Sequence, residues 1–170
     1  MTQGNLFDDR KTPHEKFMED LHSGEKLRCP TCNKWCQIYG LTLTRSMVKC
    51  LLRLDQLCRI NTWVHYEEFN YKGTYGKLKH WMLIEQGEPE PDDDSKKQSG
   101  YWRITEAGKK YLNGELLVTK TYKIYDDEIV GIVDPELVNV NHAWKETFHY
   151  GEYMNMDINQ IPDKPDVKRP

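Results

Sequence analysis

Three cysteines with metal-ligand spacing are the most chemically specific feature of the sequence. They stand at positions 29, 32 and 36, in the stretch CPTCNKWC, in a chain with five cysteines. Zinc takes four thiolate or imidazole ligands in a tetrahedron, and a Cys-x-x-Cys turn supplies two of them while its backbone amides donate to the sulfurs. The spacing therefore predicts a zinc site that includes Cys29 and Cys32, with Cys36 as a further ligand from the returning strand.

The remaining zinc ligand is left open by the sequence. There is no second Cys-x-x-Cys, and the other candidates are His22, Cys50 and Cys58. Cys50 lies on an apolar helical stripe, where a cysteine more often serves as a small buried hydrophobe. The alternative interpretation is a hairpin that keeps the shape of a zinc knuckle without the metal.

A second group of residues has the chemistry of phosphate contact. Residues 72 to 80 carry three lysines, a threonine and a tyrosine on a predicted helix, which lacks the arginine or asparagine that would read base edges. Weakly sequence-specific DNA binding is therefore predicted, and the alternative is an ordinary solvated helix face. The predicted DNA-binding residues are Lys72, Thr74, Tyr75, Lys77, Lys79 and His80.

Several helices and strands must position these residues. A capping box at Thr12 predicts a helix over 13–22, and a hairpin with its turn at Asn33 follows. The stretch LTLTRSMVKCLLRLDQLCRI predicts a core helix capped by Thr44. Its predicted polar face, which would add to a basic field, carries Arg45, Lys49 and Arg53.

Residues 63 to 114 then predict a characteristic order of elements. A brief strand, a short helix, a second helix capped by Thr74, an apolar strand from Met82, a loop, a strand ending at Ile104 and a helix capped by Thr105 follow one another. The stretch from Leu41 to Gly114 resembles the winged-helix DNA-binding domains of transcription regulators, above all in YWRITEAGKKYL, which is similar to their wing strand and following helix. This resemblance implies that the second helix of the helix-turn-helix pair enters a DNA groove.

A wider arrangement resembles a group of small bacteriophage-encoded proteins of uncharacterised function. It consists of CPTC followed by YGLTLT, KLKHWMLIEQ and SGYWRITEAG, over about residues 27 to 150. This resemblance implies a phage origin, and with it the cytoplasm of a bacterial host, but it implies no activity.

The loop between the two wing strands is poorly suited to DNA because it is acidic. Winged helices also dock on proteins, and an acidic wing suits a basic partner. The alternative function is therefore an inhibitor or modulator of a host complex, such as a defence nuclease or a polymerase. Six acids stand against Lys96 and Lys97 in this loop: Glu85, Glu88, Glu90, Asp92, Asp93 and Asp94.

Composition narrows the function classes further. A net charge of −3 gives no global attraction to nucleic acid, so binding must come from a local surface. No apolar run approaches the ~20 residues of a membrane span, and the first residues have no apolar signal region. An odd number of cysteines then favours cytoplasmic thiols over disulfides. No nucleophile has a base at motif spacing, so we do not expect an enzyme.

The predicted fold is α+β, with a winged helix-turn-helix between an N-terminal zinc-knuckle-like hairpin and a small C-terminal antiparallel β appendage. The predicted parts are a helix and hairpin over 1–40, the winged helix over 41–115, the appendage over 116–156 and a flexible tail over 157–170. A homodimer is one further option. Alternation in the appendage predicts a small core formed by Tyr122, Ile124, Ile129, Ile132 and Val133.

Overall fold

The structure is a computed structural model that describes residues 11–88 and 99–161. It confirms the α+β class, since short helices and three small antiparallel sheets make up the described residues. Within these ranges, no helix is long and apolar enough to cross a membrane. The elements in chain order are α1 (Pro13–His22), β1 (Leu27–Arg28), β2 (Trp35–Cys36), β3 (Tyr39–Thr42), α2 (Arg45–Cys58), β4 (Val64–His65), α3 (Tyr66–Phe69), a 3-10 helix (Tyr75–Trp81), β5 (Ile84–Gln86), β6 (Tyr101–Ile104), α4 (Glu106–Leu112), β7 (Val118–Tyr125), β8 (Glu128–Val138), α5 (Val140–Trp144), α6 (Tyr150–Tyr153) and a final 3-10 turn (Ile158–Gln160).

The amino-terminal helix and hairpin form as the sequence predicts. The Glu15 amide donates to the Thr12 hydroxyl at 3.2 Å, and the Thr12 amide donates to the Glu15 carboxylate at 2.6 Å, which completes the capping box of α1. β1 and β2 pair antiparallel around a turn in which Asn33 has a φ of +58°. Asparagine adopts this left-handed conformation more readily than most residues do.

Helix α2 lies at the centre of the molecule. Thr44 caps it by accepting a hydrogen bond from the Met47 amide at 3.4 Å, and its apolar stripe is buried from Met47 to Leu54. It packs against α3, the 3-10 helix, α4, α5 and a three-stranded sheet in the order β4-β6-β5. In that sheet Trp102 pairs with Val64 on one side and Gln86 on the other. The helix and strand order predicted for residues 63 to 114 is confirmed.

The second helix of this region differs from its prediction in type and in its cap. It is a 3-10 helix, and the Thr74 hydroxyl donates to the Tyr71 carbonyl at 2.9 Å and does not cap it. Glycines at 73 and 76 explain the change, because glycine disfavours the α-helix and so short a helix gains little from cooperativity. The helix ends at Trp81, and Met82 after it has a φ of +56°. The following strand therefore begins at Ile84 and not at Met82.

The predicted appendage is continuous with the rest of the fold. β7 lies between β8 and β3, so residues 39–42, which sequence placed before the core helix, belong to the same sheet. Ile124 is buried, as predicted, and Tyr122 is half-buried against Trp81. The prediction was wrong for three residues on β8, which is the edge strand of this sheet. The exposed residues are Ile129, Ile132 and Val133.

Two cations predicted on the polar face of α2 are buried, and that prediction was wrong. The Arg45 guanidinium lies 3.7 Å from the Trp144 ring centroid and donates to the Trp144 carbonyl and to Glu146, both at 2.7 Å. The Lys49 ammonium donates to the Ile161 carbonyl at 2.8 Å. This face of α2 is covered because the carboxyl-terminal segment returns across it.

The carboxyl-terminal segment therefore differs from the flexible tail predicted from residue 157. Residues 158–160 form the final 3-10 turn, and Ile161 is buried in the core. Upstream, Trp144, Phe148 and Tyr153 form a cluster with ring centroids 5.0 to 5.2 Å apart. The rest of the predicted tail, 162–170, lies outside the described residues, as do the first ten residues and 89–98 of the acidic loop.

Candidate nucleic-acid interface and thiol cluster

The surface around the 3-10 helix holds all six residues predicted to bind DNA, and its three lysines are exposed. Lys72 is exposed in the loop before the helix, where it has a φ of +55° and its ammonium lies 5.1 Å from the Tyr71 ring centroid. Lys77 is exposed on the helix itself. Its ammonium has no ion pair or hydrogen bond with any residue in 11–88 or 99–161. These two lysines are part of the exposed basic surface.

Lys79 and His80 are held by a carboxylate from another part of the chain. The Lys79 ammonium forms a short ion pair with Asp127, and the His80 Nε2 atom lies 3.2 Å from the other carboxylate oxygen. The His80 side chain is only 5% exposed. The hydrogen bond from Lys79 lowers the pKa of Asp127 below its ordinary value. The charge of Lys79 is therefore partly neutralised, and His80 is turned inward.

Thr74 and Tyr75 attach the 3-10 helix to the core. Besides its bond to Tyr71, the Thr74 hydroxyl lies 3.5 Å from the Cys50 sulfur. The Tyr75 ring stacks on Tyr66 at 5.4 Å and meets Trp102 edge-on at 5.6 Å. Burial raises the pKa of Tyr75. These contacts give both residues a positioning role in the structure.

The Cys29–Cys32 turn has the hydrogen bonds expected of a thiol knuckle. The amides of Cys32 and Thr31 donate to the Cys29 sulfur and lower the pKa of that thiol. The backbone closes around them, since the Cys29 amide donates to the Lys34 carbonyl at 2.8 Å and the Asn33 amide donates to the Cys29 carbonyl at 2.9 Å. Hydrogen bonds donated by backbone amides stabilise a thiolate, which is the form that binds a metal.

Cys36 faces the tip of the β7–β8 hairpin. Its thiol donates to the Lys34 carbonyl at 3.7 Å, and its interaction with the Tyr125 hydroxyl raises the pKa of Tyr125 to about 12. Across the described ranges, no group of three or more His, Cys, Asp or Glu side chains is arranged to hold a metal. Cys29, Cys32 and Cys36 thus remain predicted zinc ligands.

The other cysteines lie on α2. Cys50 is buried, which confirms the interpretation as a small hydrophobe, and its sulfur accepts a hydrogen bond from the Tyr71 amide at 3.0 Å. Burial raises the pKa of the Cys50 thiol and of the Cys58 thiol. A raised thiol pKa disfavours metal binding at both positions.

Sequence reasoning missed Asp127 and Tyr125 as members of these sites. Both lie at the tip of the β7–β8 hairpin, where Asp126 and Asp127 have φ values of +49° and +62°. The letters YDDE predict the turn itself. They carry no signal that would place it against residues 79 and 36, because those contacts depend on how the two sheets pack.

Comparisons with protein-family models, with curated proteins and with solved structures found no match to this chain.

Proposed function

We propose that residues 41–115 form a winged-helix domain that binds duplex DNA through the surface of the 3-10 helix. The observation that supports this most strongly is the antiparallel sheet in the order β4-β6-β5. In the chain, α2, α3 and the 3-10 helix all come before the paired strands β5 and β6. In helix-turn-helix proteins, the second helix of the pair is the one that lies in the major groove. Here that position belongs to the 3-10 helix, which presents Lys77 to solvent.

The proposed binding is weak and depends strongly on salt. Lys72, Lys77 and Lys79 are all exposed, and the charge of Lys79 is offset by its ion pair with Asp127. Lysines contact phosphates as point charges and do not distinguish bases, so little sequence preference is expected. A regulatory role in the cytoplasm of a bacterial host, with a phage origin, is the setting we propose.

The experiment is a salt series of duplex-DNA affinity for the wild type and for a variant with Lys72→Ala and Lys77→Ala. Each lost phosphate contact lowers the slope of log affinity against log salt by roughly 0.9, so the double variant should lose about 2. A matched control changes two exposed lysines of α4, Lys109→Ala and Lys110→Ala. Equal slopes for the two double variants would contradict the proposed surface.

We also propose that the hairpin binds zinc through Cys29, Cys32 and Cys36. The amide donors to the Cys29 sulfur support this, since they favour the thiolate. The metal would act structurally, by joining the two short strands of a hairpin that has little core of its own. Protein purified without oxygen should carry about one zinc per chain. Cys29→Ser should remove the zinc while the control Cys58→Ser retains it, and metal-free wild type would contradict the proposal.

Docking on a host protein complex is the alternative function, and the Lys79–Asp127 pair favours it because it removes a cation from the DNA-facing surface. Glu85 is also paired, with Arg103, while Glu88 is exposed. The other four acids of the predicted acidic wing lie outside the described residues. Replacing Asp92, Asp93 and Asp94 with Asn should weaken a complex with a basic host protein and strengthen DNA binding if DNA is the partner.

A further inference from the structure

Trp35 is a large aromatic side chain whose exposure the fold does not explain. It lies on β2, and Trp35 as a whole is 57% exposed. In the β1–β2 pair Trp35 is opposite Arg28, and Cys36 is opposite Leu27. Because opposite residues share a face and neighbours alternate, the hairpin has one face with Cys36 and another with Trp35. The Cys36 face contacts Tyr125, which leaves the Trp35 face toward solvent.

Two cations lie against the Trp35 ring. The Arg28 guanidinium carbon is 4.4 Å from the ring centroid, and the Lys26 ammonium is 5.2 Å from it. Arg28 is fixed in place because its Nη1 atom donates to the Asn33 carbonyl at 3.0 Å. One bond of this kind leaves most of the donors of a guanidinium available. The Trp35 ring and the Arg28 guanidinium are therefore held together before any ligand arrives.

The hairpin is basic in a chain that is acidic as a whole. Between positions 25 and 36 it carries Lys26, Arg28 and Lys34 against the single acid Glu25. No ion pair is made by any of these three cations with a residue in the described ranges. Their charge is consequently available to an anionic ligand.

We propose that the Trp35 face binds single-stranded nucleic acid, with a base stacked on the indole and phosphates paired with Lys26, Arg28 and Lys34. An aromatic ring close to exposed cations is how proteins bind unpaired strands without reading sequence, because every base has a flat face to stack. Bases within a duplex are already stacked on one another and cannot reach such a ring. The inference stands on the hairpin alone and does not depend on duplex binding by the 3-10 helix.

The test measures the anisotropy of a labelled oligothymidylate of about 12 nucleotides, a length typical of such sites, at low salt. Trp35→Ala should weaken binding about tenfold, the usual size of one lost base stack, while Trp35→Phe should stay within about threefold of the wild type. The control is Trp63→Ala. Trp63 is also partly exposed and also lies beside an arginine, since Arg103 is 4.6 Å from its ring centroid.

The phenylalanine variant separates stacking from folding, because it keeps an aromatic ring in the hairpin. Binding by the wild type with a specific loss in Trp35→Ala supports the proposal. It is overturned if the wild type does not bind the oligothymidylate at low salt, or if Trp35→Ala and Trp63→Ala bind equally well. It is also overturned if Trp35→Ala weakens duplex and single-strand binding by the same factor, since the ring would then serve duplex contact. If the variant with Lys72→Ala and Lys77→Ala kept the duplex affinity of the wild type, the proposed duplex surface would be contradicted. The proposal for the Trp35 face would not be affected by that result.

Discussion

At the scale of single residues, Asp127 has the greatest influence on the proposed DNA surface. It reaches that surface from the β7–β8 turn, and its two carboxylate oxygens engage Lys79 and His80. A phosphate would have to compete with this carboxylate for Lys79. If the surface binds DNA as proposed, the pair should lower the affinity in proportion to how well Asp127 holds the lysine.

Asp127→Asn should consequently strengthen duplex binding, by roughly three- to tenfold at low salt, because one cation is released and one anion is removed. Asparagine suits the left-handed conformation at this position, so the turn should be kept. The measurement is duplex affinity at low and moderate salt, with Asp126→Asn as the control that changes the same charge in the same turn. An Asp127→Asn protein that binds no better than the Asp126→Asn control would show that Lys79 does not contact DNA.

Tyr111 predicts how stability depends on alkaline pH. It is fully buried, its hydroxyl donates to the Asn139 carbonyl at 3.4 Å, and burial raises its pKa above the ordinary value near 10. A raised pKa favours the protonated folded state, so this contribution is complete below pH ~10 and is lost as the pH rises above that value.

The free energy of unfolding should therefore fall above pH ~10, and Tyr111→Phe should reduce that fall. Urea unfolding at about pH 8 and about pH 11 measures both. The exposed residue Tyr39 provides the control, as Tyr39→Phe should leave the pH dependence of the wild type in place. Equal losses in all three proteins would assign the alkaline transition to other groups.

At the scale of elements, β6 joins the sheet to the candidate interface. It is the middle strand of β4-β6-β5, and Trp102 on it contacts Tyr75 of the 3-10 helix. Trp102 and Ile104 on β6 are buried, as is Tyr111 on α4. Damage to this strand should thus affect both the sheet and the position of the 3-10 helix.

Trp102→Ala should destabilise the protein by ~3 to 5 kcal/mol, because it removes a large buried ring and leaves a cavity. Thermal or urea unfolding gives the value. Trp63→Ala removes the same side-chain type from a site that is 37% exposed and should cost clearly less. If the two substitutions were equally mild, the packing of β6 described here would be wrong.

Elements defined by local signals were predictable from sequence. The Thr12 and Thr105 caps, the Thr44 cap and the Asn33 turn depend on residues within a few positions of each other, and all four occur. Pairings between distant segments were not predictable. Nothing near Gly40 or Lys123 indicates that β3 joins β7, and nothing near Lys79 indicates its ion pair with Asp127.

The type of the 3-10 helix also escaped prediction, for a related reason. Lysines, leucine and tryptophan at helical spacing favour an α-helix, while the glycines at 73 and 76 oppose it. Tyr75 and Leu78 pack on the core in the 3-10 helix that results. The residues of the candidate site were listed from sequence, and they lie around one helix. Sequence did not indicate which of their side chains face solvent.

At the scale of the whole molecule, one continuous core joins the parts that sequence divided at residue 115. Buried residues from α2, the β4-β6-β5 sheet, β7 and the carboxyl-terminal helices belong to the same cluster. Arg45 and Lys49 of α2 bind Glu146 and the Ile161 carbonyl, so the segment after residue 115 is needed to satisfy charges inside the protein. The proposed DNA surface is therefore supported by a core that extends from Leu41 to Ile161.

The net charge of −3 limits what this arrangement can do with DNA. An acidic molecule gains no long-range attraction to a polyanion, so binding has to arise where cations are locally exposed. Lys72 and Lys77 provide one such place and the Trp35 face provides another. Both are expected to lose affinity steeply as salt rises.

The central claim is that duplex DNA contacts the 3-10 helix surface, and amide chemical-shift mapping at low salt tests it most directly. Titration of the labelled protein with a short duplex should perturb the amides of residues 72–82 first, and a moderate salt concentration should abolish the changes. The same titration with the Lys72→Ala and Lys77→Ala variant should give much smaller shifts. Perturbations confined to other elements, or none at low salt, would contradict the account.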